Sequence, residues 1–332
     1  MDDNRVFSYT PQVETFAVKT TVFPASNQIP DFALLKGAIR EQAGFYTPFS
    51  FTNSEGLRFY VIDSVTLKAV KNIDNGTSGL FGSVRPLPLG NSVPGFFHFR
   101  ITTTVERQNV MTFLDAVSNG NTIIMTNGPA DPFTFFPSSW RADTIALGSG
   151  NSLYHKLKNM GWTYIDSLKT LVPFVFITKK GTNIPSNQTF GLVPSEKLAV
   201  QFDVLGRNLS GEYTSDKLGP AKTWQDLRWR GNSVEPLNTD NSTVEVLGVD
   251  ANGINTSLAI VRAAQDTSLS WINATQYPFL KLRMVTNDSS QGTPMQLRYW
   301  RINATMLPEG AVAPNILYAM KDTVEQGEKI DF

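Results

Sequence analysis

FGLVPSEKLAVQFDVLGRNLSGEYTSDKLGPAKTWQDLRWR, residues 190–230, is the stretch that decides the fold class. Within it Ala199–Val204, Gly211–Ser215 and Thr223–Arg230 alternate apolar and polar side chains with the two-residue period of a half-buried strand. Gly, Pro and Asn break the chain between them. The pattern continues through Thr243–Val249, Thr256–Val261, Phe279–Val285 and Met295–Asn303. Strands this short, at near-regular spacing, predict an antiparallel, jelly-roll-like β-sandwich over residues 182–306.

Upstream, the pattern is mixed. Val13–Phe23 alternates as a strand and is closed by Pro24. Residues 1–44 therefore read as an N-terminal strand segment that completes the sandwich, which makes the domain between them an insertion. Leu34–Gln42 (LLKGAIREQ) is expected to form a short helix. Residues 45–181 read as an α+β domain. Leu57–Asp63, Phe96–Thr103, Thr122–Met125 and Phe174–Thr178 are its strands. Val105–Val117 places Val110, Phe113, Leu114 and Val117 at helical spacing before Gly120, and Ser152–Met160 is a second helix stopped by Gly161. Pro129–Asp143 reads as a long aromatic loop. Leu307–Pro314 reads as a linker into a further, truncated domain.

Composition excludes several classes. The 332 residues suffice for two or three domains. With 41% hydrophobic and 17% charged residues, the chain folds. The 29 Lys and Arg balance 29 Asp and Glu, so there is no basic footprint and nucleic acid is not an expected partner. Without cysteine there is no disulfide, thiolate nucleophile or Cys-ligated zinc. Two histidines leave little for a metal site, and no cofactor or metal is expected. No apolar run reaches the roughly 20 residues of a membrane span. Met1–Asn4 is not followed by the apolar segment of a signal peptide. Both ends, the latter KDTVEQGEKIDF, read as cut within structured sequence. The expectation is a piece of a larger exported protein, extracellular or at the cell surface, with its targeting signal outside the piece.

Gly56–Gly181 resembles the interleukin-like EMT inducer domain. The residues that carry the likeness are Phe59-Tyr60-Val61-Ile62-Asp63, then Phe113, Leu114, Val117 and Gly120. Thr122-Ile123-Ile124-Met125, then Leu157, Gly161, Ile165 and Leu168, and finally Phe176–Gly181 follow in order. The family's acidic loop is replaced by the Pro129–Asp143 insertion, so its ligand contacts are not carried over. Leu218-Gly219-Pro220-Ala221 and Trp224–Trp229 make the second half resemble a galactose-binding-like sandwich. Together with LPEGAVAPN the combination is similar to the region downstream of the peptidase domain in gingipain-like proteins of type IX secretion. Asp-Ser/Thr-aliphatic triplets at Asp63, Asp143, Asp166 and Asp322 look like the O-glycosylation signal of such bacteria. The resemblance implies glycan binding, because related domains serve as carbohydrate-binding stems.

The residues themselves offer little catalysis. A nucleophile needs a base within hydrogen-bond reach. His98 sits in an aromatic strand, His155 beside Lys156 and Lys158, and there is no G-x-S-x-G elbow. Asp203, Glu212, Asp226 and Glu245 are the carboxylates a glycoside hydrolase would draw on. Asp250–Gly253 reads as a β-turn with too few ligands for calcium. Aromatics are the better lead, since sugar C–H groups stack on indole and phenol faces. The candidate ligand-binding residues are Trp140 and Arg141, expected exposed in the polar loop, with Trp224 and Trp229. The last two, an odd number of residues apart, should point to opposite faces unless a bulge intervenes. The expected function is a non-catalytic accessory region that binds a glycan or other modules of the same large protein. The alternatives are a structural spacer or docking module for a peptidase or secretion machinery, and a glycoside hydrolase fragment.

Overall fold

A computed structural model describes residues 7–21, 32–36, 39–44, 56–85, 95–127, 137–168, 172–235, 240–262, 266–290 and 292–307. Met1–Asn4, most of the 307–314 linker and the 321–332 terminus, each singled out above, lie outside the described residues. The chain is mostly β, with several antiparallel sheets. It divides into two compact units, an inserted unit of Thr10–Asn208 and a sandwich unit of Met1–Tyr9 with Leu209–Phe332.

The inserted unit has three layers. Its central five-stranded sheet comprises β4 (Leu57–Ile62), β5 (Phe97–Phe99), β6 (Thr122–Asn127), β7 (Phe174–Lys179) and β8 (Pro185–Phe190), in the order β5-β4-β6-β7-β8. Every residue of β4 and β6 is buried, which is why both read as continuous apolar runs. One face sends Leu57, Phe59, Val61 and Ile123 into a core shared with the helices α1 (Thr104–Ala116), α2 (Pro137–Ala142), α3 (Thr144–Leu147) and α4 (Leu153–Asn159). The opposite face sends Tyr60, Ile62, Ile124 and Val175 against a second sheet. That sheet is built from β1 (Gln12–Thr21), β2 (Phe32–Lys36), β3 (Ile39–Gly44) and β9 (Lys197–Gly206), in the order β3-β2-β1-β9.

The two expected helices of this unit form. Thr103 and Glu106 close a capping box at the start of α1, each bonding the other's backbone N–H. Ser152 caps α4. Gly161 ends that turn at φ +93°, where a Cβ would lie 2.3 Å from the Asn183 carbonyl oxygen.

Three local expectations change. Leu34–Gln42 is not a helix but runs from β2 into β3. Ala33 and Leu34 are buried against β1, with Leu34 opposite Val18, and this long-range pairing overrides local helical spacing. The boundary falls at 208/209 rather than 181/182, because β9 pairs with β1 over ten residues, from Gln12↔Gly206 to Thr21↔Lys197. The N-terminal strand therefore does not complete the sandwich. The short segment before it does. Phe7 N–H donates to Gln296 Oε1 at 2.8 Å, Gln296 Nε2 donates to the Phe7 carbonyl at 3.1 Å, and the Tyr9 hydroxyl lies 3.3 Å from Thr286 Oγ1. Met1–Tyr9 thus groups with Leu209–Phe332, and Thr10–Asn208 lies between them in sequence.

In the sandwich unit one sheet comprises β10 (Ser210–Thr214), β12 (Asn241–Val249), β13 (Asn255–Arg262) and β15 (Phe279–Asn287), ordered β10-β15-β12-β13. The other comprises β11 (Ala221–Asn232), β14 (Thr267–Ser268) and β16 (Gln296–Met306), ordered β14-β11-β16. Trp224, Leu227 and Trp229 of β11 meet Val244 and Val246 of β12 and Leu280, Leu282 and Met284 of β15 in one core. The pairing of β11 with β16 slips between Trp224 and Asp226. This bulge resets the alternation, so Trp224 and Trp229, an odd number apart, both point inward. Among the described residues no helix is long and apolar enough to cross a membrane.

Candidate functional site

The four residues nominated from sequence do not make one site. Trp140 lies on α2 and is fully buried. The expectation of an exposed indole fails because the end of the 129–143 stretch is helical and packs inward; residues 129–136 of it lie outside the described residues. Arg141, next along the chain, is exposed, with its guanidinium 5.6 Å from the centre of the Tyr154 ring. Trp224 and Trp229 are core residues of the other unit, 3% and 0% exposed. The exposed tryptophan is Trp271, at 58%, its indole N–H donating to the Ser268 carbonyl at 3.2 Å. Its signal in the sequence is an indole flanked by Ser268, Ser270 and Asn273 with no strand alternation around it.

Of the hydrolase carboxylates, Glu212 and Glu245 meet at one arginine, and Asp203 and Asp226 have partners of their own. Asp203 lies in the inserted unit, accepting from Thr15 Oγ1 at 2.7 Å. Glu212 and Glu245 both face Arg283, and Asp226 is held by Arg228 and Asn303. His98 is 2% exposed, and the Ser152 hydroxyl that lies 2.8 Å from His155 Nδ1 is itself buried as the α4 cap. Asp250 caps a tight turn, accepting from Asn252 and Ile254 N–H. Of the glycosylation-like triplets, Ser64 is 3% exposed and out of reach in the folded chain.

What the inserted unit does offer is an open cavity of about 520 Å³. Its wall is the C-terminal half of α1 (Met111, Leu114), the loop entering α4 (Gly150, Asn151, Ser152), α4 itself with Met160, and the turn Lys180–Asn183 between β7 and β8. Local sequence sets this turn. Gly181 has φ +91°, Lys180 N–H donates to the Asn121 carbonyl at 2.8 Å, and Gly120 N–H returns to the Lys180 carbonyl at 2.9 Å. The Lys180 ammonium reaches the Leu114 carbonyl at the end of α1. Burial holds its pKa below that of an ordinary lysine, Asp115 opposes this, and Lys156 adds to it. Lys156 pairs with Asp115 at 2.5 Å. Lys156, Lys180, Asn159 and Asn183 supply donors around a Met111–Leu114–Met160 floor, and no carboxylate or imidazole is among the lining residues. Such a cavity suits a hydroxylated ligand.

In the sandwich unit Glu235, Asp240 and Asp288 bring carboxylate oxygens within 4.8 Å of one another. Asp288 is wholly buried and accepts from Ser290 N–H at 2.8 Å and Thr293 N–H at 3.0 Å. Thr293 Oγ1 also donates to Glu235, whose other oxygen accepts from Ser233 at 3.0 Å. Both Asp240 oxygens are sealed from solvent. Burial pushes this carboxyl above the usual range, Ser233 opposes, and the charges of Asp288 and Glu235 push it further up. Three hard oxygens are a partial set for a divalent cation, short of the roughly six to eight that calcium takes. A raised folded-state pKa gives stability that is present below the unfolded value, near pH ~3.9, and lost as pH rises through the folded value. Asp240→Asn is therefore expected to melt higher than the parent chain at pH 7, with the difference closing toward pH 4. Thermal melts across that range check it, and a variant that melts lower at pH 7 would show that the charge itself is needed.

No family model matches the chain, and no curated protein matches it. Among solved structures it is similar to the D431N mutant VP2 protein of infectious bursal disease virus in T=1 particles. That match has 12% identity, 91% of this chain and 69% of that chain covered, and a TM-score of 0.16. The Gt strain of the same virus gives 12% identity, 91% and 72% coverage and a TM-score of 0.17. Likeness at that level carries no argument about either fold or function.

Proposed function

We propose that the chain is a non-catalytic binding region of a larger exported protein, with the inserted unit taking a glycan in the cavity beside α4. The observation that carries this reading is the cavity's lining, in which amide and ammonium donors surround an apolar floor. A volume of about 520 Å³ accommodates one or two sugar rings. The finer fold reading, an interleukin-like EMT inducer-type domain, is supported by the order of β4, α1, β6, α4 and β7 along the chain. The wider placement, beside a gingipain-like peptidase in type IX secretion, rests on the sequence resemblance alone. So does the expectation that the protein is extracellular, whereas the expectation that nucleic acid is not its partner rests on the balance of 29 basic and 29 acidic residues.

The test is a glycan array with the full chain and with Lys156→Ala/Asn159→Ala, two residues that line the cavity. Binding by the parent and about a tenfold loss in the variant is expected, the size of one or two lost hydrogen bonds to charged or amide groups. Binding that is equal in both would remove the cavity from the argument.

A second reading, a structural spacer, is favoured by one specific observation. Trp140, Trp224 and Trp229 all serve cores rather than surfaces. Absence of binding to every arrayed glycan would leave that reading in front.

A further inference from the structure

The outer face of the β14-β11-β16 sheet carries charges that the fold itself does not need. Leu227 and Trp229 point inward from β11, so Arg228 and Arg230 point outward. On the neighbouring β16, Arg301 lies directly opposite Arg228, Tyr299 opposite Arg230, and Asn303 opposite Asp226. Like charges directly opposite one another destabilise an antiparallel pair. Arg228 is relieved in part, its Nε donating to Asp226 Oδ1 at 2.9 Å, and Asp226 also accepts from Asn303 Nδ2 at 3.0 Å. Arg230 donates to Asp266 Oδ1 at 2.8 Å. Arg301 is exposed, and Asp226, the carboxylate that feels its charge, is already engaged by Arg228 and Asn303. Two exposed guanidiniums facing each other across neighbouring strands are the kind of donors that recognise an oxyanion. Tyr299, 48% exposed and two residues from Arg301 on the same face, offers a ring for stacking.

We propose that this sheet face binds an acidic saccharide, with its carboxylate or sulfate group between Arg228 and Arg301 and its ring against Tyr299. The occupant is chosen by charge complementarity together with the neighbouring Tyr299 phenol. A bare polyanion would use the arginines and ignore the rest. The site is separate from the cavity of the inserted unit and does not depend on it.

The experiment is affinity electrophoresis of the full chain in gels holding polygalacturonate, dextran sulfate, unmodified dextran or inorganic polyphosphate. Retardation by polygalacturonate or by dextran sulfate is expected, the responding polymer identifying the anionic group, with none by plain dextran. Arg301→Gln and Arg228→Gln should each weaken it about tenfold, the size of a lost charge-assisted hydrogen bond. Tyr299→Ala should weaken retardation by the polysaccharide and leave any retardation by polyphosphate unchanged. Melting temperatures for all three variants close to that of the parent show that the fold is kept. Lys156→Ala/Asn159→Ala should be retarded like the parent, which separates this site from the cavity. No retardation by either acidic polysaccharide, unchanged retardation of the arginine variants, or polyphosphate binding as tight as saccharide binding with no effect of Tyr299→Ala would each overturn the proposal.

Discussion

Arg107→Met is expected to cost the inserted unit about 3–5 kcal/mol, the usual penalty for removing one partner of a buried ion pair. Arg107 and Asp143 are both buried, their side chains 8% and 4% exposed. Arg107 Nε donates to Asp143 Oδ2 at 2.6 Å and Nη2 to Oδ1 at 2.7 Å, while Nη1 reaches the carbonyls of Ile101 and Thr102. Thr104 Oγ1 adds a bond to Asp143 at 2.8 Å. The pair thereby ties the start of α1 to the junction of α2 and α3. The Arg107 guanidinium holds the Asp143 carboxyl below the usual carboxylate range, against burial, which acts the other way. A depressed pKa gives stability that is present above the unfolded value and lost as pH falls through the folded one, so the parent weakens only below about pH 4. With Arg107 gone, burial dominates and the sign reverses: the variant should gain stability as pH is lowered from 7 toward 5. Urea unfolding at several pH values reads both slopes. A parallel pair of slopes would mean that Asp143 finds another partner. Replacing both residues by apolar ones of similar volume should recover most of the loss.

Trp140→Ala should lower the stability of the same unit by about 3–5 kcal/mol, through lost burial and the void left behind. The indole is 0% exposed in the core that also holds Tyr154, Leu157 and Trp162. Trp140→Phe, which keeps a ring there, should cost less than half as much. Denaturant midpoints decide it, and a Trp140→Ala chain as stable as its parent would return the indole to the surface. The prediction also bears on ligand work. Any loss of glycan binding by Trp140→Ala would report a damaged fold rather than a removed contact, so the half-buried Lys156 and the exposed Asn159, Tyr299 and Trp271 are the informative targets.

What could be read from the sequence divides along the range of the interactions involved. Strands β9 and β15 alternate because one face is more deeply buried than the other, and local sequence records that directly. The helices α1 and α4 carry their stop signals beside them, in Gly120 and Gly161. The partner of β9 could not be read this way, since Gln12 and Gly206 meet across almost the whole inserted unit. Leu34 and Leu35 look helical for the same reason, because the strand that orders them is elsewhere in the chain. The bulge at Trp224–Asp226 is a third case, a single extra residue that turns an odd spacing into a shared face. The candidate cavity drew on residues that carry no motif, such as Asn159, Lys180 and Asn183, and became visible only when three separate segments were brought together. The directly opposed Arg228 and Arg301 likewise required the register of two strands whose paired residues lie 64 to 85 positions apart.

The pairing of Gln12 with Gly206 has a consequence for how such a protein could be rebuilt. The two points where the chain enters and leaves the inserted unit are adjacent strand ends, roughly 5 Å apart across one ladder. A gap that small is what a hairpin loop spans. The unit of Thr10–Asn208, about 200 residues long, thus begins and ends at two points no farther apart than the ends of a short loop. A folded body with ends that close is the kind that one chain can gain, lose or exchange whole.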